Sequence, residues 1–396
     1  VPLVWNGPNG ITIEKRLKFT RDSYLISVDQ TIINGRETPW SGKIFGQLKR
    51  TPPESEGGFL TGAQSFTGAV YSTPENRYQK VEFDEIEDGE FGQKQSKGGW
   101  VAMIQHYFLA AWVPPQENDI TFYASSKSKP SYIAGYITPE ITIQPGTKTE
   151  YQHLLFVGPK LVDQLEPIAQ SLDRTVDYGF LFIIAKPMFI VLKWIEAVVG
   201  NWGVAIILLT ALIKLAFFKL SEKSYKSMAK MKTLAPKMKQ LKERYGDDKQ
   251  KLNTAMMEMY KKEKANPLGG CLPILVQMPF FIALYWMLQE SVELRQAPFF
   301  WWINDLSVPD ALFSIFDYQI SFLPLLMGAS MFFQQRLNPT PMDPTQQRVM
   351  TLMPVMFTFM FMMFPSGLVL YWVVNNVLSI AQQWVITKRV EGSTKK

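Results

Sequence analysis

One cysteine, Cys271, in 396 residues rules out an internal disulfide, and its place in an apolar run suits a small packing residue. Histidine is nearly as scarce. His106 and His153 are the only two, both in the first half, and neither has a carboxylate or cysteine cluster at ligand spacing, so no metal site is expected. No Walker-type phosphate loop occurs, which argues against ATP hydrolysis. The five most apolar stretches of the second half contain no Asp, Glu or His. An intramembrane protease would need a nucleophile with its base, or paired aspartates, and neither is available there. A transporter would show repeated halves or a coupling carboxylate, and neither is evident. No catalytic residue and no cofactor is expected. The chain also lacks an initial methionine and a leading apolar segment, so it reads as a fragment, and an upstream segment would be needed to carry its first half out of the cytoplasm.

Charge is unevenly spread. Residues 1–178 carry a net charge of −4 and residues 179–396 a net charge of +10, so the pI of about 9.0 belongs to the second half. A basic segment flanking a membrane explains that excess before nucleic acid does, and no DNA partner is expected. The first half alternates apolar and polar residues, as in Tyr24-Leu25-Ile26-Ser27-Val28 and Tyr78-Gln79-Lys80-Val81-Glu82-Phe83. Turns rich in Pro and Gly separate these runs, which predicts a β-sandwich.

In the second half, apolar stretches over about 201–219, 268–289, 319–335, 348–364 and 367–387 predict five membrane-spanning helices. Residues 219–264 hold 14 Lys/Arg against 6 Asp/Glu, whereas residues 290–319 hold one Arg and five acids. The positive-inside rule puts the first connection in the cytoplasm, which makes the chain N-out and C-in. Residues 179–199 are apolar but interrupted by Lys186, Pro187, Lys193 and Glu196. That pattern suits an amphipathic helix in the interface plane, with a sixth span as the alternative. Two spans are short. The uninterrupted apolar helix of 320–333 would be about 21 Å long and that of 349–364 about 24 Å, against a hydrocarbon core of ~30 Å, which predicts local thinning of the bilayer.

Lys214 is the only ionisable residue in the apolar run 198–218. A charge in hydrocarbon is costly unless it faces water or a partner, so Lys214 marks either a water-filled concavity or a lysine that snorkels to the headgroups. Thr210 lies one turn earlier on its face, with Gly203 and Ser221 in line. The last span is the most polar: Tyr371, Asn375, Ser379 and Gln382 follow one face, flanked by Trp372, Asn376 and Gln383. Gln277 interrupts the second span. Met350, Met353, Phe357, Met360 and Phe364 recur at helical spacing as a soft apolar wall, or as ordinary helix packing. Between the first two spans, residues 221–265 read as an antiparallel helical pair with Met/Leu seams, Pro236 kinking or interrupting the first helix, and Gly246 with Asp247 or Asp248 at the turn. Its lysines are a topology signal, or a basic arm for anionic lipid or ribosomal RNA.

Certain motifs carry a resemblance. Asn266-Pro267-Leu268-Gly269-Gly270-Cys271 leading into Gln277-Met278-Pro279, Glu293-Leu294-Arg295-Gln296-Ala297-Pro298-Phe299, and Phe364-Pro365-Ser366-Gly367-Leu368-Val369-Leu370-Tyr371 make residues 179–390 similar to the bacterial YidC-type insertase family. Residues 1–178 resemble the later part of that family's periplasmic β-super-sandwich domain, with the first transmembrane helix and the start of the domain absent. The resemblance implies a partial periplasmic domain (1–178), an interfacial amphipathic helix (179–199), a five-helix core with its cytoplasmic hairpin (200–390, hairpin 221–265) and a basic cytoplasmic tail (391–396) in the bacterial inner membrane. It implies a hydrophilic groove in which Lys214, Thr210, Gln277 and Trp372 take lining positions, and the polar face of the last span adds Tyr371, Asn375, Ser379 and Gln382 as expected lining residues. Many relatives have Arg where Lys214 stands, so the charge is kept and the bidentate fork is lost. An apolar slide for the substrate would run along the second and fourth spans through Pro273, Phe281, Met350, Met353, Phe357 and Met360. Lys230, Lys237, Arg244, Asp247 and Asp248 would be the partner-binding residues of the hairpin. The implied partners are nascent membrane proteins, the Sec translocon, the ribosome with signal-recognition targeting factors, and anionic phospholipids. A non-catalytic assembly scaffold remains the other reading, beside the transporter.

Overall fold

The computed structural model describes residues 1–51, 65–128, 130–246, 248–263, 272–315, 318–337 and 344–394. The chain divides into two compact units, one built on Val1–Gly58, Ala63–Asp177 and Glu290–Val292, the other on Tyr178–Gln289 and Glu293–Lys396.

The first unit is mostly β. In chain order its strands are β1 (Pro2–Asn6), β2 (Ile11–Phe19), β3 (Leu25–Asn34), β4 (Trp40–Gly42), β5 (Phe45–Arg50), β6 (Gly68–Ser72), β7 (Gln79–Val81), β8 (Gln93–Lys97), β9 (Trp100–Ile104), β10 (Phe108–Val113), β11 (Asp119–Ser128), β12 (Ser131–Ile137), β13 (Ile141–Ile143) and β14 (Lys148–Pro159). A short helix α1 (Phe83–Glu87) connects β7 to β8, and a second, α2 (Val162–Leu165), follows β14. Eight strands form an antiparallel sheet in the order β1-β2-β3-β14-β10-β9-β6-β7, and a second sheet runs β5-β12-β11-β8. Val28, Tyr71, Val101 and Trp112 of the first sheet meet Phe122, Tyr132 and Tyr136 of the second in one buried cluster. This is the sandwich that the period-2 alternation predicts, since one face of each sheet is apolar.

Two polar features sit inside that apolar unit. His153, on β14 opposite Val28, is 1% exposed; its Nδ1 bonds the Tyr136 hydroxyl and its ring lies 4.8 Å from that of Trp112. Burial pushes its imidazole down from 6.5 to about 4, so it is held neutral. Lys160 and Glu290 are each 1% exposed and form an ion pair at 3.1 Å, with Ser65 donating a further hydrogen bond to the same carboxylate oxygen. Such a pair balances a desolvation cost that neither charge alone could offset.

The second unit is helical. Its helices are α3 (Phe182–Val199), α4 (Trp202–Ala216), α5 (Phe218–Tyr245), α6 (Lys249–Lys262), α7 (Leu272–Glu290), α8 (Phe322–Leu337), α9 (Pro344–Phe361) and α10 (Ser366–Thr394), with a hairpin of β15 (Ala311–Ile315) and β16 (Tyr318–Ser321) between α7 and α8. Helix α3 stops at Gly200 with φ of 68°, and Asn201 caps α4 by accepting a hydrogen bond from the Val204 amide. Ile183, Ile190, Trp194 and Val198 on α3 are exposed, while Lys186, Lys193 and Glu196 are half-buried. The open side of this helix is therefore its apolar one, not its polar stripe. Helix α10 packs on α4, α5 and α8, and α9 packs on α8.

Several expectations need correction. The expected span 201–219 breaks at Phe217, where α4 and α5 meet at a bend of 68°. Pro236 does not interrupt α5, which runs through it. The expected span beginning at 319 starts instead at Phe322, because Tyr318–Ser321 pair with β15. The last helix continues to Thr394, so residues 391–394 of the expected tail are helical. Among the described residues no single helix is long and apolar enough to cross a membrane; α4 and the start of α5 pass that test only as a bent pair.

Candidate functional site

A cavity of about 280 Å³ lies in the helical unit, walled by α4, α5, α7, α8 and α10. Lys214 is the only Lys, Arg, Asp or Glu among its described lining residues. The break at Phe217 puts Lys214 in the last turn of α4, where unpaired carbonyls favour a cation. Its Nζ donates a 2.7 Å hydrogen bond to Ser379 Oγ, and Ser379 in turn donates to the Asn375 carbonyl at 2.7 Å. Tyr225 of α5 also interacts with this Ser379 hydroxyl. The lysine is thus tied to hydroxyl and dipole partners rather than to a carboxylate.

The opposite wall is aromatic. The Phe281 ring lies 4.4 Å from Trp372 and 6.0 Å from Tyr371, while Trp372 also meets Phe361 at 5.1 Å and Phe357 at 6.4 Å. Trp372 therefore joins α7 to α9 across the cavity's edge. Behind it Asn376 donates to Ser330 Oγ at 3.1 Å and binds α10 to α8.

Of the residues expected to line a groove, Lys214, Gln277, Tyr371, Trp372, Asn375 and Ser379 come together around this cavity. Thr210 does not line it. Its hydroxyl is buried and bonds the Ile206 carbonyl at 2.7 Å, the back-bond that a helical threonine makes when no other partner is presented. Gln382 lies outside as well, donating to the Phe218 carbonyl at 3.4 Å, and its neighbour Gln383 takes the lining position. Among the expected slide residues, Phe281 belongs to the cavity wall and Phe357 packs on Trp372. Met350, Met353 and Met360 are half-buried, and the most open face of α9 carries Leu352, Met356 and Phe359 instead. The Pro273 side chain lies outside the described residues.

In the hairpin, Lys230 is exposed, Lys237 bonds Glu263 at 2.6 Å, and Arg244 lies over the Tyr245 ring. Asp248 is occupied as the cap of α6, accepting from the Lys251 amide at 3.0 Å, and Asp247 lies outside the described residues. Sequence reasoning missed Ser224, Tyr225 and Met278. The signal was present: Ser221, Ser224, Tyr225 and Met228 are spaced i, i+3, i+4, i+7, one face of a helix.

Residues 194–394 match the family model described as 60Kd inner membrane protein, and residues 1–191 match that of the YidC periplasmic domain. Relatives named membrane protein insertase YidC include that of Nitrosococcus oceani, 56% identical over 99% of this chain and 70% of its own length. Those of Saccharophagus degradans and Hahella chejuensis are 54% and 53% identical, over 96% and 97% of this chain and 66% of their own. The chain spans about two thirds of the length of these relatives. A solved structure of an active YidC insertase with its first transmembrane domain resolved overlaps 93% of this chain at 15% identity and a TM-score of 0.43.

Proposed function

The chain belongs to the YidC family of membrane protein insertases, which inserts proteins rather than catalysing a covalent step, and from that premise we propose how its cavity serves insertion. The helical unit is an inner-membrane core of five spans, α4 with the root of α5, then α7, α8, α9 and α10, with the periplasmic domain outside and the C-terminus in the cytoplasm. Helix α3 lies in the interface plane, its exposed Ile183, Ile190, Trp194 and Val198 turned to lipid. The observation that carries the reading is Lys214, a cation held by Ser379 in a cavity with no acidic residue among its described walls.

A short hydrophilic segment of a nascent membrane protein enters this cavity from the cytoplasm, where water and polar side chains replace its hydration. Moving it across bare hydrocarbon would cost several kcal/mol per charge, and the cavity removes part of that barrier. Lys214 transiently attracts acidic residues of the segment. The client's apolar helix leaves sideways past α7 and α9, driven by its partition into lipid. The lysine's ammonium is a point charge without a planar fork, so many acidic sequences fit. The hairpin beyond residue 231 receives the ribosome, targeting factors or anionic lipid, and the Sec translocon is a partner for larger clients.

The test is photo-crosslinking from Gln277, Asn375 and Leu212 to a stalled nascent client in membranes. Gln277 and Asn375 line the cavity, and Leu212 is an exposed position on α4. Crosslinks from the two cavity positions and few from Leu212 are expected. Equal yields from all three would replace the groove reading with a scaffold that meets clients anywhere on its surface.

A further inference from the structure

The connection from α7 to α8 carries a cluster of exposed aromatics that the insertion mechanism does not use. Trp301 is 88% exposed and Phe300 52% exposed. Trp301 also has a left-handed backbone, φ 56°, an uncommon conformation for a bulky residue that persists only where the surrounding chain imposes it. Here the surroundings do impose it. The Ile303 amide bonds the Phe300 carbonyl at 3.2 Å, the Phe299 amide bonds the Ile303 carbonyl at 2.9 Å, and the Leu306 amide closes the loop on the Ala297 carbonyl at 3.1 Å.

That loop is fastened to the N-terminal ends of three helices. Asn201, the cap of α4, donates to the Pro298 carbonyl at 3.3 Å. The amide of Gly367, in the first turn of α10, bonds the Leu306 carbonyl at 2.9 Å, and the Ser366 hydroxyl bonds the Asp305 carbonyl at 2.9 Å. At α8, Asp310 accepts from the Phe322 and Leu323 amides at 3.0 and 2.8 Å and from the Trp302 indole at 3.3 Å. Trp302 packs on Phe322, the first residue of α8, and Trp301 stacks on Trp302 at 5.7 Å. The exposed indole is therefore carried at the level where α4, α8 and α10 begin.

We propose that Trp301, with Phe300 beside it, is a membrane anchor whose partner is the headgroup layer of the phospholipid leaflet remote from the hairpin. An indole combines an apolar body with one N–H donor and is most stable at that boundary. The rigid loop presents it at helix-end depth without ordering a flexible segment on contact. The proposal rests on the reading that α4, α8 and α10 cross the bilayer, because that reading makes the helix ends coincide with the headgroups. The anchor would hold the outer ends of these three helices at one depth while a client passes between others.

The test places a nitroxide on a cysteine at position 301 in the full chain with Cys271→Ser, reconstituted in phosphatidylethanolamine and phosphatidylglycerol vesicles. Reference labels go at Leu325 on the exposed side of α8 and at Lys230 on the hairpin. Relaxation by oxygen and by a water-soluble nickel chelate then reports depth. The label at 301 is expected between the two references, with chelate accessibility several-fold below that at Lys230. If 301 is as open to the chelate as Lys230 while Leu325 reads hydrocarbon, the anchor is overturned and the spanning reading stands. If Leu325 is also open to the chelate, the spanning reading falls and takes the anchor with it. A label at Phe300, whose backbone is not left-handed, repeats the measurement should the change at 301 impair folding.

Discussion

Lys214 was legible in the sequence because one ionisable group in an apolar run has few places to go; its partner was not. Ser379 is 165 residues away, and only the packing of α10 on α4 brings its hydroxyl to 2.7 Å. Lys214→Arg is expected to retain insertion, whereas Lys214→Ala lowers it by about tenfold for clients with acidic translocated segments, the loss of one charge-assisted contact of about 1.5 kcal/mol. Insertion assays with acidic and neutral client tails measure this. Equal insertion by both variants would reduce Lys214 to a snorkelling residue. His153 yields a separate prediction. Above pH 6.5 its imidazole is neutral in the folded and the unfolded chain, so the stability of the β unit is full there. As pH falls from 6.5 toward about 4, the unfolded chain takes up a proton that the folded chain refuses. Stability is lost across that window, by on the order of 3 kcal/mol. Urea midpoints of the β unit, followed by pulse proteolysis of the detergent-solubilised full chain at pH 7, 5.5 and 4.5, should fall with pH, and His153→Phe should flatten the dependence.

At the scale of elements, the bend at Phe217 decides most. The apolar run 198–218 reads as one span, but Phe217 packs its ring 4.9 Å from Phe280 and the helix turns by 68°. The turn places Lys214 at a helix end and brings the first turns of α5 into the cavity wall. The hairpin is consequently not a separable arm along its whole length. Its root, through Met228, belongs to the core. Removing residues 232–262 with a short linker is expected to leave the thermal stability of the core within a few °C, while ribosome binding weakens and loses part of its salt dependence. A ribosome co-sedimentation series at rising salt checks it. Unchanged binding would leave the basic face as a topology signal only.

For the whole molecule, the prediction is topological. Asp22 in the β unit and Lys230 on the hairpin are both exposed. Cysteines placed there, with Cys271 replaced, should react with a membrane-impermeant maleimide from opposite sides of sealed vesicles. Labelling from one side would favour six spans, with α3 as the additional one. The buried pair of Lys160 and Glu290 had no signature in the sequence, since 130 residues separate two charges of ordinary kind.

Periodicity and composition alone determined the β-sandwich, the chain of apolar helices, the basic hairpin and the polar face of the last helix, because each follows from the free energy of moving side chains between water and an apolar phase. That energy depends on local pattern. Tertiary structure decided which members of those faces converge. Thr210 turned its hydroxyl to its own helix, Gln383 replaced Gln382, and Tyr225 joined Ser379. Hydrogen bonds and ring contacts are directional and close over a few ångströms, so a helix rotation of one residue or a bend at one phenylalanine chooses among neighbours that the hydrophobic pattern treats as equal.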